Sequence, residues 1–342
     1  MVDCSFCKEK RAARVVGVCP DCLRSLPEDD VSLGVHEASR KKLNLPERPP
    51  RNPAGAGCRL CANKCQPGPD ERGYCGLRKN EAGRIKPVTP KNAALVHIYL
   101  DPLPTNCCAA WFCEGSKEKG YNLAVFFYGC SFDCLFCQNH SHKRLEEAPQ
   151  LTEEKVIAAA LQPEVRCICF FGGSPEPQLP FALRVSQKIL ERSSGTKHIC
   201  WEWNGSGHPG LVKRAAELSA RSGGTVKFDL KAFHPNLSLA LCAVRNRRTF
   251  ENFSLLAGLY PHKDLLTATT LLVPGYVDRQ EIGQIARFIA KLDADIPYSL
   301  LVFHPGYLMT DLAVTPRRQV DECFEEASHY LSRVNVGNLH LL

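Results

Sequence analysis

The sequence predicts an α/β protein, a partial (β/α)6 barrel from about residue 121 to 342 preceded by small cysteine-rich metal-binding modules. Three observations carry that prediction. Six short apolar runs rich in β-branched and aromatic residues follow one another from Leu123 onward, and segments with apolar spacing near 3.6 lie between them. Of the 19 cysteines, eight fall in two groups before residue 76. Strands alternating with helices imply a parallel sheet covered by helices.

Taken in order, the strand runs are LAVFFY (123–128), VRCICFF (165–171), HICWEW (198–203), TVKFDL (225–230), LTATTLLV (266–273) and YSLLVF (298–303). The helical spacing appears at Glu153–Leu161, Phe181–Leu190, Leu211–Leu218, Ile282–Leu292 and Val320–Leu331. Near-continuous apolar strands suit a sheet buried on both faces. Functional residues are then expected at the C-terminal ends of the strands, where the βα loops gather. Before the barrel, a zinc-ribbon-like module is expected over residues 1–42. A linker and second cysteine-rich module should occupy 43–120, opening on the proline- and arginine-rich stretch Leu43–Gly55. Its prolines fix φ and donate no backbone hydrogen bond, so it reads as a semi-rigid connector.

A chain of 342 residues with 44% hydrophobic and 23% charged residues is ordinary globular material. No apolar run approaches the roughly 20 residues of a membrane span, and MVDCSFCKEK lacks the apolar core of a signal peptide. The expectation is a cytoplasmic protein without a membrane partner. In that reducing compartment, clustered thiols point to metal before disulfides. The net charge is +7, and residues 1–90 hold 17 Lys/Arg against 11 Asp/Glu. This excess suits an acidic protein or an RNA partner, or a solvated basic face.

The first run leads into Cys130, Cys134 and Cys137, in GCSFDCLFCQN. Three thiolates within eight residues fit three corners of a [4Fe-4S] cubane and leave one iron open; three cysteines with a distant fourth ligand would instead hold zinc. FFGGSPEP (170–177) follows the second run, WEWNG (201–205) ends the third, and FDLK (228–231) ends the fourth. Glycines let a backbone approach a ligand closely, and a lysine facing a carboxylate makes a charge-assisted bond.

The spacing Cys-x3-Cys-x2-Cys at the end of a first strand, with those later motifs in order, resembles the radical S-adenosylmethionine (SAM) superfamily. The branch it is most similar to contains the pyruvate formate-lyase activating enzymes and activase-like members with extra N-terminal cysteines. The resemblance implies that Gly172 and Gly173 receive the methionine amino group and that Lys231 binds its carboxylate. It gives Glu202, Asn204 and Asp229 places around a cation or the ribose, sets Phe136 near the adenine, and aligns His304 with a ribose contact. It further implies reductive cleavage of S-adenosylmethionine to a 5′-deoxyadenosyl radical, and a one-electron donor such as a ferredoxin or flavodoxin. The expected activity is activase-like oxidoreductase chemistry on a protein, with RNA or a small metabolite as the alternative substrate. A non-catalytic zinc or iron–sulfur protein is the reading from a different class. Two departures bear on the substrate: short activating enzymes lack the first hundred residues, and Trp203 stands where they place a smaller side chain.

Cys4, Cys7, Cys19 and Cys22 form two Cys-x2-Cys pairs, which suits a filled tetrahedral zinc site with a structural or docking task. Deleting residues 1–40 should on that view spare S-adenosylmethionine cleavage. Cys58, Cys61, Cys65 and Cys75 suit zinc or an auxiliary cluster, with zinc slightly favoured. Cys107, Cys108 and Cys113 either line the active site or are buried apolar residues. Cys167, Cys169, Cys200, Cys242 and Cys323 are expected in the core.

Overall fold

The computed structural model describes residues 1–261 and 264–342. Ahead of residue 93 it forms two hairpins, β1 (Val2–Asp3) with β2 (Arg11–Ala12) and β3 (Arg78–Glu81) with β4 (Arg84–Pro87). Between them lie helices α1 (Pro20–Ser25) and α2 (Gly34–Lys42). The rest of the chain winds about one sheet. Its strands are β5 (Ala93–Pro102), β6 (Tyr121–Phe127), β7 (Gln150–Thr152), β8 (Val165–Gly172), β9 (His198–Trp203), β10 (Val226–Asp229), β11 (Leu266–Leu272), β12 (Tyr298–Val302) and β13 (Val334–Gly337).

The spatial order is β13-β12-β11-β10-β9-β8-β6-β5-β7. From β6 to β13 all pairings are parallel, while β5 and β7 close one edge with antiparallel pairs. The six runs therefore become six parallel strands, as the sequence predicts. A seventh, β13, is only four residues long and half-buried throughout, so it offers no apolar run to read. β5 begins before residue 121 yet pairs with β6 from Val96 to Pro102, so the sheet reaches into the segment read as linker.

Helices α3 (Glu153–Ala160), α4 (Leu179–Arg192), α5 (Pro209–Ser222), α8 (Arg279–Leu292) and α9 (Arg317–Ser328) follow the predicted periodicity. Local chemistry sets their ends. The Thr152 and Asp278 side chains accept from Lys155 N and Glu281 N, capping α3 and α8. Pro209 opens α5, and Gly223 at φ 68° closes it. Two further helices, α6 (Pro235–Cys242) and α7 (Arg247–Leu259), follow β10.

The sheet is not buried alike on its two faces, which corrects the prediction from the apolar runs. Ile168, Phe170, Ile199, Trp201, Val226 and Phe228 are fully buried on one face. Their alternates Cys167, Cys169, Cys200, Glu202, Lys227 and Asp229 line a cavity on the other. Period-2 alternation was present all along; counting cysteine as apolar concealed it.

Candidate active site

Strand β6 delivers the chain into Gly129, which lies at φ 78°. A Cβ there would sit 2.5 Å from Leu77 Cδ1, so only glycine lets the loop start against the second cysteine module. Cys130, Cys134 and Cys137 then line a cavity of about 790 Å³. Phe136 is 2% exposed and also lines it.

The loop is anchored from the next strand end. Asn204 donates from Nδ2 to Ser131 Oγ (2.9 Å) and approaches Cys130 Sγ (3.6 Å), while its Oδ1 accepts from Ser206 N (3.0 Å). Gly172 and Gly173 line the same space. Gly172 lies at φ 109°, and a Cβ on Gly173 would stand 2.3 Å from Gly129 O and 2.7 Å from His142 Cγ. The adjoining His142 ring is driven by burial, then by the Lys143 charge, to about 3 and is neutral. Its Nδ1 is buried without a hydrogen-bond partner, beside Gly173, and the residue lines the cavity.

Two partly buried acid–lysine pairs share the cavity with the thiols. Asp229 accepts from Lys231 Nζ (3.0 Å) and Thr269 Oγ1 (2.6 Å). Burial pushes its carboxyl up, but the Lys231 and Lys227 charges outweigh this and hold it at about 2. Lys231 stays firmly charged, because the Asp229 carboxylate overcomes the burial that would neutralise it; its Nζ lies 5.9 Å from the Phe136 ring centre. Glu202 pairs with Lys227 at 2.8 Å. All four ionic side chains line the cavity. His304 does not: it is partly exposed outside the cavity lining, with Nδ1 3.1 Å from Pro305 O. Trp203 turns its ring into the core against Trp201 (5.6 Å) and Phe228 (5.6 Å).

The thiol spacings separate the metal sites. The four sulfurs of Cys4, Cys7, Cys19 and Cys22 all lie within 4.8 Å of one another. A tetrahedron with metal–sulfur bonds of about 2.3 Å has edges of about 3.8 Å, so this set fits one ion. Among the described residues no other set of three His, Cys, Asp or Glu ligands is so tight. Cys130, Cys134 and Cys137 are thus spread more widely than a single zinc ion requires, as suits a polynuclear cluster. Cys58, Cys61, Cys65 and Cys75 are also more open, although each of Cys61, Cys65 and Cys75 is influenced by the thiol of Cys58. Their module abuts the cluster loop: Asn63 Nδ2 donates to Ser131 O (2.7 Å), and Ala62 N to Ser206 O (2.9 Å).

Sequence reasoning missed Asp133, inside the Cys130–Cys137 loop and fully buried. It accepts from Lys143 Nζ (2.6 Å) and Arg40 Nη1 (3.4 Å) and faces His36 Nδ1 (3.0 Å). His36 and Arg40 belong to α2. The first forty residues therefore contact the cluster loop directly, and their removal would take two partners of Asp133 with it. Asp133 is an unremarkable letter between two cysteines, and its partners lie 97 and 93 residues away. Cys242, expected in the core, is fully buried but beside Cys134, whose thiol it lowers by hydrogen bonding. Cys323 is fully buried in the core as expected.

The family model of the radical SAM superfamily matches residues 124–289. An uncharacterised protein of Methanocaldococcus jannaschii is 23% identical over 292 residues, covering 82% of this chain and 81% of that one. The isethionate sulfite-lyase activating enzyme of Desulfovibrio desulfuricans is 35% identical over 134 residues, 39% of this chain and 40% of that enzyme. Among solved structures, a domain of the pyruvate-formate lyase-activating enzyme from Bacteroides vulgatus is 18% identical with a TM-score of 0.42, over 50% of this chain and 98% of that one. Streptococcus suis SuiB bound to S-adenosylmethionine is 15% identical with a TM-score of 0.45, over 63% and 49%.

Proposed function

Because this chain belongs to the radical SAM superfamily, we propose that it cleaves S-adenosylmethionine reductively and uses the resulting radical to abstract hydrogen from a protein, as an activase-like enzyme. One observation carries the reading. The three loop thiols share a single cavity with the glycine pair at the end of β8 and the partly buried acid–lysine pairs at the ends of β9 and β10. Cys130, Cys134 and Cys137 hold a [4Fe-4S] cluster, which supplies the electron and the open iron site when bound.

The remaining work belongs to the chain. Asn204 and Asp133 fix the loop that carries the thiols. Gly172 and Gly173 present backbone where any side chain would collide, leaving carbonyl oxygens for an ammonium group. Lys231 supplies a permanent charge for the methionine carboxylate, and Asp229 keeps it oriented. Glu202 and Asp229 remain for ribose hydroxyls or a cation. The cavity walls exclude water from the reactive species, which no general acid needs to protonate.

A protein substrate is favoured by the partial likeness to an activating enzyme and by the basic N-terminal segment; RNA or a small metabolite is the alternative. The tight N-terminal knuckle holds zinc, whereas the wider Cys58–Cys75 set suits an auxiliary cluster better than zinc. The electron donor is a ferredoxin- or flavodoxin-like protein. A cytoplasmic location remains part of this proposal; no described helix is long and apolar enough to cross a membrane. Anaerobically reconstituted protein given dithionite and S-adenosylmethionine should release 5′-deoxyadenosine, and Cys130→Ala, Cys134→Ala or Cys137→Ala should abolish the release. Undiminished release from any of the three variants overturns the assignment.

A further inference from the structure

The cavity has a second end, and it too is lined by thiols. In β8 and β9, Cys167, Cys169 and Cys200 face the cavity, and Cys169 pairs directly with Cys200 across the two strands. The segment joining β5 to β6 closes this end and adds Cys107, Cys108 and Cys113, steadied by Trp111 Nε1 donating to Ser299 Oγ (3.0 Å). All six thiols are free. Counted along β8 at a strand rise of about 3.3 Å per residue, Cys169 and Cys167 lie roughly 10 and 17 Å from Gly172. This group is therefore distinct from Cys130, Cys134 and Cys137, which cluster at the Gly172 end.

Cys200 stands centrally among them: it pairs in register with Cys169 and lines the same cavity as Cys107 and Cys113. A lysine paired with Glu202 also stands among these thiols. Lys227 is 6% exposed, and its Nζ reaches both Glu202 (2.8 Å) and Cys108 Sγ (3.4 Å). A buried cation is costly unless it faces negative charge, and metal binding converts neutral thiols to thiolates. No three of these sulfurs lie within 4.8 Å of one another, in contrast to the knuckle of the same chain. A single tetrahedral ion would draw them closer, whereas a polynuclear iron–sulfur group places metal atoms between them.

We propose that this end of the cavity is a second iron–sulfur site with Cys107, Cys113, Cys169 and Cys200 as ligands and Lys227 as its fixed counter-charge. Cys108 is held by Lys227, and Cys167 by its hydrogen bond with Cys200. The site faces the cavity proposed for S-adenosylmethionine, so a substrate radical would form between two metal groups. Its existence does not depend on cleavage activity.

The test uses full-length protein carrying Cys130→Ala, Cys134→Ala and Cys137→Ala, reconstituted anaerobically with ferrous iron and sulfide. Adding Cys169→Ala and Cys200→Ala should lower iron by about four per chain, the content of one cubane, with zinc and the far-ultraviolet dichroism unchanged. Equal iron in the two proteins, or loss of zinc in place of iron, overturns the proposal. Differential alkylation of the wild-type protein covers a variant that fails to fold. Cys107, Cys113, Cys169 and Cys200 should resist iodoacetamide in the reconstituted protein and react after iron is chelated. Equal labelling before and after chelation, measured by mass spectrometry under unfolding conditions, also overturns it.

Discussion

Replacing Asp133 with Asn tests the link between the N-terminal module and the cluster loop. The side chain keeps its size but loses its charge, and Lys143 and Arg40, each 2% exposed, are left without their buried carboxylate. Removing one partner of a buried ion pair costs about 3–5 kcal/mol. The lower half applies here, because Arg40 keeps its bond to Pro46 O (2.7 Å) and its place 3.5 Å over the Tyr74 ring. At roughly 2–4 °C per kcal/mol, a loss of about 3–4 kcal/mol means that Asp133→Asn should lower Tm by about 6–16 °C. The pH dependence supplies a second readout. Burial pushes the Asp133 carboxyl up, but the hydrogen bond with His36 and the charges of Lys143 and Arg40 outweigh it and hold it below the usual carboxylate range. A carboxyl depressed in the folded state adds stability above its unfolded value of about 4, and that contribution fades as pH falls further. Thermal unfolding followed by circular dichroism from pH 7 to pH 3 should therefore show a smaller acid-induced drop in the variant. A Tm within 2 °C of wild type at pH 7, with the same acid limb, would refute the reasoning.

Deleting residues 1–42 removes His36, Arg40 and the Cys4–Cys22 knuckle together, so iron retention and 5′-deoxyadenosine release should both fall, and metal analysis should show the loss of about one zinc if the knuckle binds it as proposed. Iron content equal to that of the full chain would show that α2 is dispensable. Lys231→Ala should keep the cluster but weaken S-adenosylmethionine binding by about 1.5–3 kcal/mol, roughly ten- to a hundredfold, by equilibrium dialysis. Unchanged affinity would return Lys231 and Asp229 to a simple ion pair. Gly173→Ala puts a Cβ 2.3 Å from Gly129 O, so the backbone must shift; a cost of about 1–3 kcal/mol is expected in thermal unfolding, together with weaker S-adenosylmethionine binding.

The strand runs and the helical spacing between them are local properties, and they determined the α/β class and the parallel core; the order of the motifs, through the resemblance it carries, pointed to Cys130, Cys134 and Cys137 as the cluster loop. Gly172, Gly173, Asp229 and Lys231 were picked out by the same resemblance; the structure puts them at strand ends on one cavity, where a parallel sheet gathers its loops. What the linear pattern does not carry is which side of a strand a cysteine faces. In VRCICFF and HICWEW the thiols count as apolar, so strands with one polar-lined face read as wholly apolar, and Cys167, Cys169 and Cys200 were placed in the core. Only pairing β8 and β9 in register, with the 107–113 segment folded across their lower end, turns six scattered thiols into one group. Asp133 is the other case. Its meaning depends on His36 and Arg40 arriving from α2 almost a hundred residues earlier. A buried charge is tolerated only where such partners converge, and that convergence is a property of the packed chain, not of any segment of it.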